Sequence, residues 1–203
     1  MRWTCHRSRS RLALLASFVT AAACNEANAP TEPPNAHASR PAWSGVPELS
    51  QTLAAVRAAT AQFHDVSAAL AAGYRPASAC EATPAGGMGV HYVNGSLMGL
   101  IPGSFPVNGT DATIDPSAPE VLLYEPRPDG SLRLVGVEYL VFAAAWDAVH
   151  ATPPELAGEP FALMSGATAH GFLPHYELHV WLWRHNPSGM FAPWNPAVTC
   201  SVG

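Results

Sequence analysis

The sequence predicts an α+β domain in which one N-terminal amphipathic helix packs on a mainly antiparallel β-sheet, with a single disulfide. Three observations support this fold class. An alanine-rich segment repeats apolar residues at helical spacing near the start of the domain. Segments rich in Val, Leu, Tyr and Trp follow, separated by Gly and Pro turns, and these are typical of strands. Cys80 and Cys200 lie towards the two ends of the domain and can form one disulfide.

The first residues have the features of an export signal. Residues 1–23 begin with arginines and continue into an apolar run that is too short to span a bilayer, which is typical of a signal peptide. Small residues precede Cys24 in "TAAAC", which resembles a bacterial lipobox, where the cysteine carries the lipid. Because Ala21 stands where leucine is usual, cleavage at an alanine and secretion as a soluble protein is the alternative. The sequence predicts a lipoprotein anchored through Cys24 and facing the periplasm or the cell surface.

The composition of the mature chain predicts two parts, a tether and a globular domain. Residues 24–47 are rich in Pro, Ala and small polar residues, which predicts a disordered tether, and residues 48–203 form a single globular domain. The chain has a net charge of −5 and no lysine, and it becomes more acidic once the arginine-rich leader is removed. Such a surface excludes nucleic acid as a partner. The expected membrane contact is therefore through the lipid anchor rather than through basic residues.

The domain is predicted to begin with a helix and to continue mainly as strands. A helix is predicted over residues 47–74, with Pro47 and Glu48 in its first turn and Gly73 at its end. His64 and Asp65 lie beside its apolar stripe and are interpreted as solvated or capping residues. A short strand is predicted over residues 90–93, and residues 120–125 and 131–142 form a hairpin around "PRPDG". Residues 143–170 read as loop with a little helix, and "HYELHVWLWRHN" reads as the last strand.

The cysteines support export. Cys5 leaves with the leader and Cys24 carries the lipid, so Cys80 and Cys200 remain as one pair. In an oxidising compartment we expect them to form a disulfide. The alternative is that both are thiolate ligands of a metal, but neither lies in a CxxC motif or beside a histidine.

The last strand carries the first candidate ligands. On a strand His175, Glu177 and His179 share one face with Trp181 and Trp183. Residues two apart on a strand are about 6.7 Å apart, so His175 and His179 are about 13 Å apart and cannot share an ion. Glu177 can join either histidine.

Two other segments offer a third ligand. His91 lies in the glycine-rich "GMGVHYVN", and Glu138 lies among apolar residues in "LRLVGVEYLVF". A carboxylate in such a strand is either paired or coordinating, because an isolated buried charge costs several kcal/mol. His91, Glu138 and His179 would form a two-histidine, one-carboxylate site suited to zinc, copper or iron, with His175 and Glu177 as secondary candidates.

Other interpretations of this cluster stay open. Glu138 could pair with Arg133 or Arg184, and the histidines could be satisfied core residues. The cluster could bind a small ligand instead, or its metal could serve a hydrolytic or oxidative enzyme. In a structural or interaction domain, it would only fix the register of the strands. No hydrolase, nucleotide-binding or c-type haem motif is present.

Four long motifs lie along the domain: "GGMGVHYVN", "PEVLLYEP", "LVGVEYLVF" and "LHVWLWRHNPSGMFAPWNPAVTC". As a set they resemble a group of uncharacterised exported bacterial proteins and lipoproteins. The resemblance covers the chain from about residue 60 to residue 200. It implies an exported, single-domain protein and implies no particular activity, cofactor or catalytic residue.

Overall fold

The computed structural model describes residues 45–165 and 171–200. The predicted signal peptide, the lipidation site Cys24 and most of the predicted tether lie outside the described residues. Among the residues that are described, no helix has both the length and the apolar character that crossing a membrane requires.

The predicted helix forms, but it is interrupted. Its parts are helix α1 (Gly45–Thr60), a 3-10 helix (Ala61–His64) and helix α2 (Val66–Ala71). The prediction of one continuous helix was wrong because Asp65 has an extended backbone and caps α2, its carboxylate accepting from the Ser67 amide at 2.8 Å. The predicted capping role of Asp65 is thereby confirmed. Gly73 follows α2 with φ +100°, a conformation that favours glycine and ends the helical segment.

Within the described residues, the strands form a seven-stranded sheet whose strand pairings are all antiparallel, and a separate two-stranded sheet. The strands are β1 (Arg75–Pro76), β2 (Glu81–Thr83), β3 (Gly86–Val93), β4 (Val121–Pro126), β5 (Leu132–Phe142), β6 (Glu155–Leu156), β7 (Glu159–Pro160), β8 (Ala162–Met164) and β9 (His175–Val180). In the large sheet the order is β1-β3-β4-β5-β9-β8, and β2 pairs with β3. A short helix, α3 (Ala143–Asp147), follows β5. The predicted α+β class with an N-terminal helix on an antiparallel sheet is confirmed.

The strand predictions differ from the structure at several places, and the short strands β1, β2, β6 and β7 were not predicted. The hairpin of β4 and β5 is confirmed, whereas β3 begins earlier than predicted, at Gly86. Strand β9 ends at Val180. The next amide, that of Trp181, donates to the Met190 carbonyl at 3.0 Å instead of continuing the sheet. Strand β8 pairs with β9 inside a segment that was predicted to be mainly loop.

The large sheet has two covered faces. On the first, which we call the helix face, Tyr92, Tyr124 and Val137 pack with Val56 and Phe63 from the helical segment. Opposite lies the site face, whose buried residues include Val121, Leu123, Trp181 and Val198. Because side chains alternate along a strand, Glu138 lies on the site face between Val137 and Tyr139 of the helix face.

Glycines allow the C-terminal tail to cover the site face. A Cβ atom at Gly87 would lie 2.7 Å from the Val198 carbonyl oxygen, closer than real Cβ contacts allow. The Gly87 amide bonds the Asn195 carbonyl at 3.0 Å, and the Asn195 amide returns a bond at 3.1 Å. The glycine-rich sequence of β3 therefore serves close backbone approach.

The predicted disulfide is confirmed. Cys80 and Cys200 are joined with an S–S distance of 2.05 Å and a Cα–Cα distance of 5.5 Å. The bond links the segment before β2 to the C-terminal tail, so the alternative of two thiolate metal ligands is excluded. Next to it, the Thr199 amide donates to Glu125 Oε1 at 3.0 Å.

Candidate metal centre

The sheet brings the three predicted ligands together from three strands. His91 lies on β3, Glu138 on β5 and His179 on β9. Glu138 is directly opposite His179 in the β5–β9 register, whereas β4 separates His91 from Glu138. Convergence therefore depends on the strand order, because His91 and Glu138 come from strands that are not neighbours.

Ligand atoms of the three residues face a common point. His91 Nε2 lies 3.5 Å from Glu138 Oε2, and His179 Nε2 lies 3.8 Å from the same oxygen. Each residue offers one ligand atom, and all three atoms lie within 4.8 Å of one another. Ligands bound at about 2.0–2.2 Å to a tetrahedral ion are roughly 3.3–3.6 Å apart. The observed spacing is close to that of a metal ligand set, and a small inward movement would complete it.

All three side chains are buried, with exposed fractions of 4% for His91, 3% for Glu138 and 3% for His179. Glu138 Oε2 and His179 Nε2 have no hydrogen-bond partner among the residues that the structure describes. A buried polar atom without a partner costs about 1–3 kcal/mol. Two such atoms facing each other are the combination that a bound cation would relieve.

Burial determines the electrostatics of Glu138 and His179. It raises the pKa of Glu138 well above the usual value, and the nearby carboxylates of Glu177, Glu81 and Glu120 raise it further. Burial also lowers the pKa of His179 to about 4, so its ring is neutral at pH 7 and offers a lone pair. A metal ion would reverse the penalty on Glu138, because its positive charge stabilises the carboxylate.

The secondary candidates adjoin this group without completing it. Glu177 lies close enough to Glu138 for its carboxylate to raise the pKa of that residue, and His175 Nε2 lies 3.4 Å from Glu177 Oε2. His175 Nδ1 lies 2.9 Å from the Leu173 carbonyl, so both ring nitrogens face acceptors. Burial alone would raise the pKa of Glu177, but the hydrogen bond from His175 and the neighbouring histidines more than offset it and lower that pKa. His175 and Glu177 thus form a polar extension of the cluster.

Sequence reasoning missed two further neighbours of His91. Its Nδ1 atom lies 3.2 Å from Glu81 Oε1 and 3.1 Å from Ser78 Oγ. Both lie within two residues of the disulfide-bonded Cys80, Ser78 before β2 and Glu81 at its first position. Ser and Glu in a short irregular segment carry no periodicity, so their position beside Cys80 was the one available signal.

The arginines do not neutralise Glu138 as the alternative interpretation expected. Arg133 pairs with Glu125 across the β4–β5 hairpin. Arg184 donates from Nε to the Ala197 carbonyl at 3.0 Å. Both cations named as partners for Glu138 are therefore engaged elsewhere.

The predicted positions of the tryptophans are half correct. Trp181 is buried on the site face, and its ring is stacked with that of His179 at 6.1 Å between centroids. Trp183 instead packs with the core of the helix face, and its ring meets the His64 ring edge-on, with 4.5 Å between the ring centroids. The prediction that Trp183 shares a face with His179 was wrong because β9 ends at Val180.

Comparisons with protein family models, with curated proteins and with solved structures give no match. The chemistry of the cluster therefore rests on its own geometry. Two imidazoles and one carboxylate, buried and close together, can bind a transition metal ion.

Proposed function

We propose that this protein is an exported, lipid-anchored domain that binds one divalent transition metal ion through His91, Glu138 and His179. The ligand atoms are His91 Nε2, Glu138 Oε2 and His179 Nε2. One observation carries the proposal: the buried, unpartnered Glu138 Oε2 and His179 Nε2 atoms lie 3.8 Å apart, with a second imidazole 3.5 Å from the same oxygen. These atoms suit a cation better than they suit one another.

The donor set indicates the class of ion. Imidazole nitrogen is a good ligand for zinc, copper and iron, and a carboxylate adds the charge that a divalent ion favours. Neither cysteine of the described residues is free to contribute, because Cys80 and Cys200 are bonded to each other. Zinc is the first expectation, because two histidines and one glutamate form a common zinc ligand set.

Ion binding is favoured over catalysis at this site. A substrate must reach the metal, and each of the three ligand residues is at most 4% exposed. A hydrolytic or oxidative reaction at the same ion would need an opening beside the ligands. A purely structural role is disfavoured because a hydrogen-bonded or apolar set of residues would fix the strands at lower cost.

The proposed location combines the leader with the disulfide. The sequence before Cys24 resembles a lipobox, and the Cys80–Cys200 bond is typical of proteins in oxidising compartments. We propose that Cys24 carries the lipid and that the domain faces the periplasm or the cell surface. Intact mass of the exported protein should show a diacyl or triacyl group on Cys24, and an unmodified N-terminus at another residue would refute the anchor.

Elemental analysis tests the metal proposal. The exported protein, reconstituted with zinc, copper or iron and then desalted, should retain about one ion per chain. Glu138→Gln and His179→Ala should lose it, because each removes one ligand. His185→Ala is the matched control, because His185 is an exposed histidine close in sequence to His179. Absence of stoichiometric metal in the wild type, or equal retention in all variants, would refute the proposal.

A further inference from the structure

The second ring nitrogen of His91 is held by a segment outside the ligand set. His91 Nδ1 lies 3.1 Å from Ser78 Oγ and 3.2 Å from Glu81 Oε1. These residues flank Cys80, which is bonded to Cys200. The His91 backbone amide also donates to Ser78 Oγ, at 3.2 Å. His91 is therefore bound to this segment by both its backbone and its ring.

The hydrogen bonds of Ser78 determine which nitrogen of His91 carries the proton. Ser78 Oγ lies 2.7 Å from the Ala79 carbonyl, which can only accept, so the hydroxyl donates its single proton there. Towards His91 Nδ1, Ser78 Oγ can then act only as an acceptor. The Glu81 carboxylate, when ionised, is an acceptor as well. Ser78 Oγ and Glu81 Oε1 are thus both acceptors towards Nδ1, which favours a proton on Nδ1 and a lone pair on Nε2.

We propose that Glu81 is a positioning residue that holds His91, together with Ser78, as the Nδ1–H tautomer and directs the Nε2 lone pair at the metal ion. The inference rests on the proposed function for the identity of the ion, but the tautomer itself does not depend on it. A carboxylate behind a histidine ligand fixes the ring and raises its basicity, and its loss costs 10–100-fold in metal affinity in comparable sites.

The tautomer distinguishes a metal site from a closed polar network. With the proton on Nε2, His91 could donate to Glu138 Oε2, which lies 3.5 Å away, and the space for an ion would be taken by a hydrogen bond. With the proton on Nδ1, two imidazole lone pairs and one carboxylate oxygen face the same point. Glu81 selects the second arrangement because it places negative charge beside Nδ1.

The first arm of the test needs no metal. Imidazole ¹⁵N chemical shifts of the metal-free exported protein at pH 8, with the His91 signals assigned by comparison with His91→Gln, should show the proton on Nδ1. In Glu81→Ala we expect part of the population to carry it on Nε2, because Glu138 then offers the nearest carboxylate. Ser78→Ala should shift the population in the same direction. A wild-type proton on Nε2, or no change in either variant, overturns the inference.

The second arm measures the ion. Zinc affinity should decrease in the order wild type, Glu81→Gln, Glu81→Ala, with a loss of about 10–100-fold for alanine. Glutamine retains an acceptor oxygen at Nδ1, so it should rescue part of the affinity. Cobalt(II) absorption bands should shift in Glu81→Ala because the His91 ring is reoriented. Glu155→Gln, an exposed carboxylate on β6, is the control and should leave both readouts unchanged.

The two arms separate the two claims. If the wild type binds no ion, the proposed function fails, and the ¹⁵N spectra still decide whether Glu81 positions His91. If the wild type binds an ion and Glu81→Ala binds it equally well with an unchanged cobalt spectrum, the positioning role is refuted while the metal site stands. Thermal unfolding shows whether each variant is folded. If Glu81→Ala is not folded, the milder Glu81→Gln and Ser78→Ala variants replace it in both arms.

Discussion

Glu138 and His179 lie directly opposite each other on the adjacent strands β5 and β9, with Glu138 Oε2 and His179 Nε2 3.8 Å apart. Neither atom has a hydrogen bond within the described part of the chain, although both are buried. Such a pair is destabilising on its own, because each atom has lost its hydration without gaining a partner. Removing the charge of Glu138 or the ring of His179 from the metal-free protein measures this cost separately from the gain that a bound ion would supply.

Glu138→Gln should stabilise the metal-free protein while it abolishes metal binding. The pKa of Glu138 is raised by burial, so the folded state keeps a proton above pH 4.5 that the unfolded state releases, and stability is lost as the pH rises. Glutamine does not ionise, so the variant lacks this loss of stability at high pH. We expect a gain of about 1–3 kcal/mol in the free energy of unfolding at pH 8. Urea unfolding of the metal-free variant, with Glu155→Gln as control, checks this. A destabilised Glu138→Gln would show that the cluster is structural.

His179→Gln should reduce the acid sensitivity of the metal-free protein. The pKa of His179 is lowered by burial to about 4, below its usual 6.5. Between these values the unfolded state binds the extra proton, so wild-type stability falls as the pH decreases, by at most about 1.4 kcal/mol per pH unit. Urea unfolding at pH 7, 6 and 5 should give a shallower slope in the variant. The exposed His185→Gln should keep the wild-type slope, and an equal slope in all three proteins contradicts the prediction.

Glu120→Gln should stabilise the protein at alkaline pH. Glu120 is buried, and burial raises its pKa to about 8, while Oε2 accepts from the Leu140 amide at 3.1 Å. Wild-type stability should therefore fall between pH 4.5 and 8, by at most about 1.4 kcal/mol per pH unit. Glutamine keeps an acceptor for Leu140 and removes the charge. Thermal unfolding at pH 5 and pH 8 should show a gain only at pH 8, and a gain of equal size at both would contradict this account.

Removal of the disulfide should weaken metal binding through Glu81. Cys80 precedes Glu81, so replacing Cys80 and Cys200 by serine releases the segment that contacts His91. We expect a decrease of about tenfold in zinc affinity, of the size seen when outer-shell partners are lost. The same replacement in a Glu81→Ala background should have a smaller effect, because the contact is already absent. Equal losses in both backgrounds would mean that the disulfide acts by another route.

Much of the fold could be predicted from local patterns. The alanine-rich helix, the "PRPDG" hairpin and the Cys80–Cys200 pair each depend on residues close in sequence or on simple elimination. The interruption at Asp65 and the end of β9 at Val180 could not be predicted, because a side-chain cap and a tertiary bond to Met190 override strong local propensities. Strand β8 was missed because three residues carry too little periodicity.

The candidate site was predictable in its residue types more than in its geometry. A glutamate among apolar residues in β5, and histidines on strands, indicated buried polar chemistry at positions 91, 138 and 179. Their convergence depends on β9 pairing with β5 and on β4 separating β3 from β5, which no local pattern specifies. Ser78 and Glu81 were missed for the same reason, because only the folded chain brings their segment to His91.

Anomalous diffraction from crystals of the zinc-reconstituted protein tests the central claim most directly. Data collected on both sides of the zinc absorption edge should show one anomalous peak per chain, about 2.0–2.2 Å from His91 Nε2, Glu138 Oε2 and His179 Nε2. A fully zinc-equilibrated crystal that has no peak between these atoms, or whose peak lies elsewhere on the chain, would contradict the account.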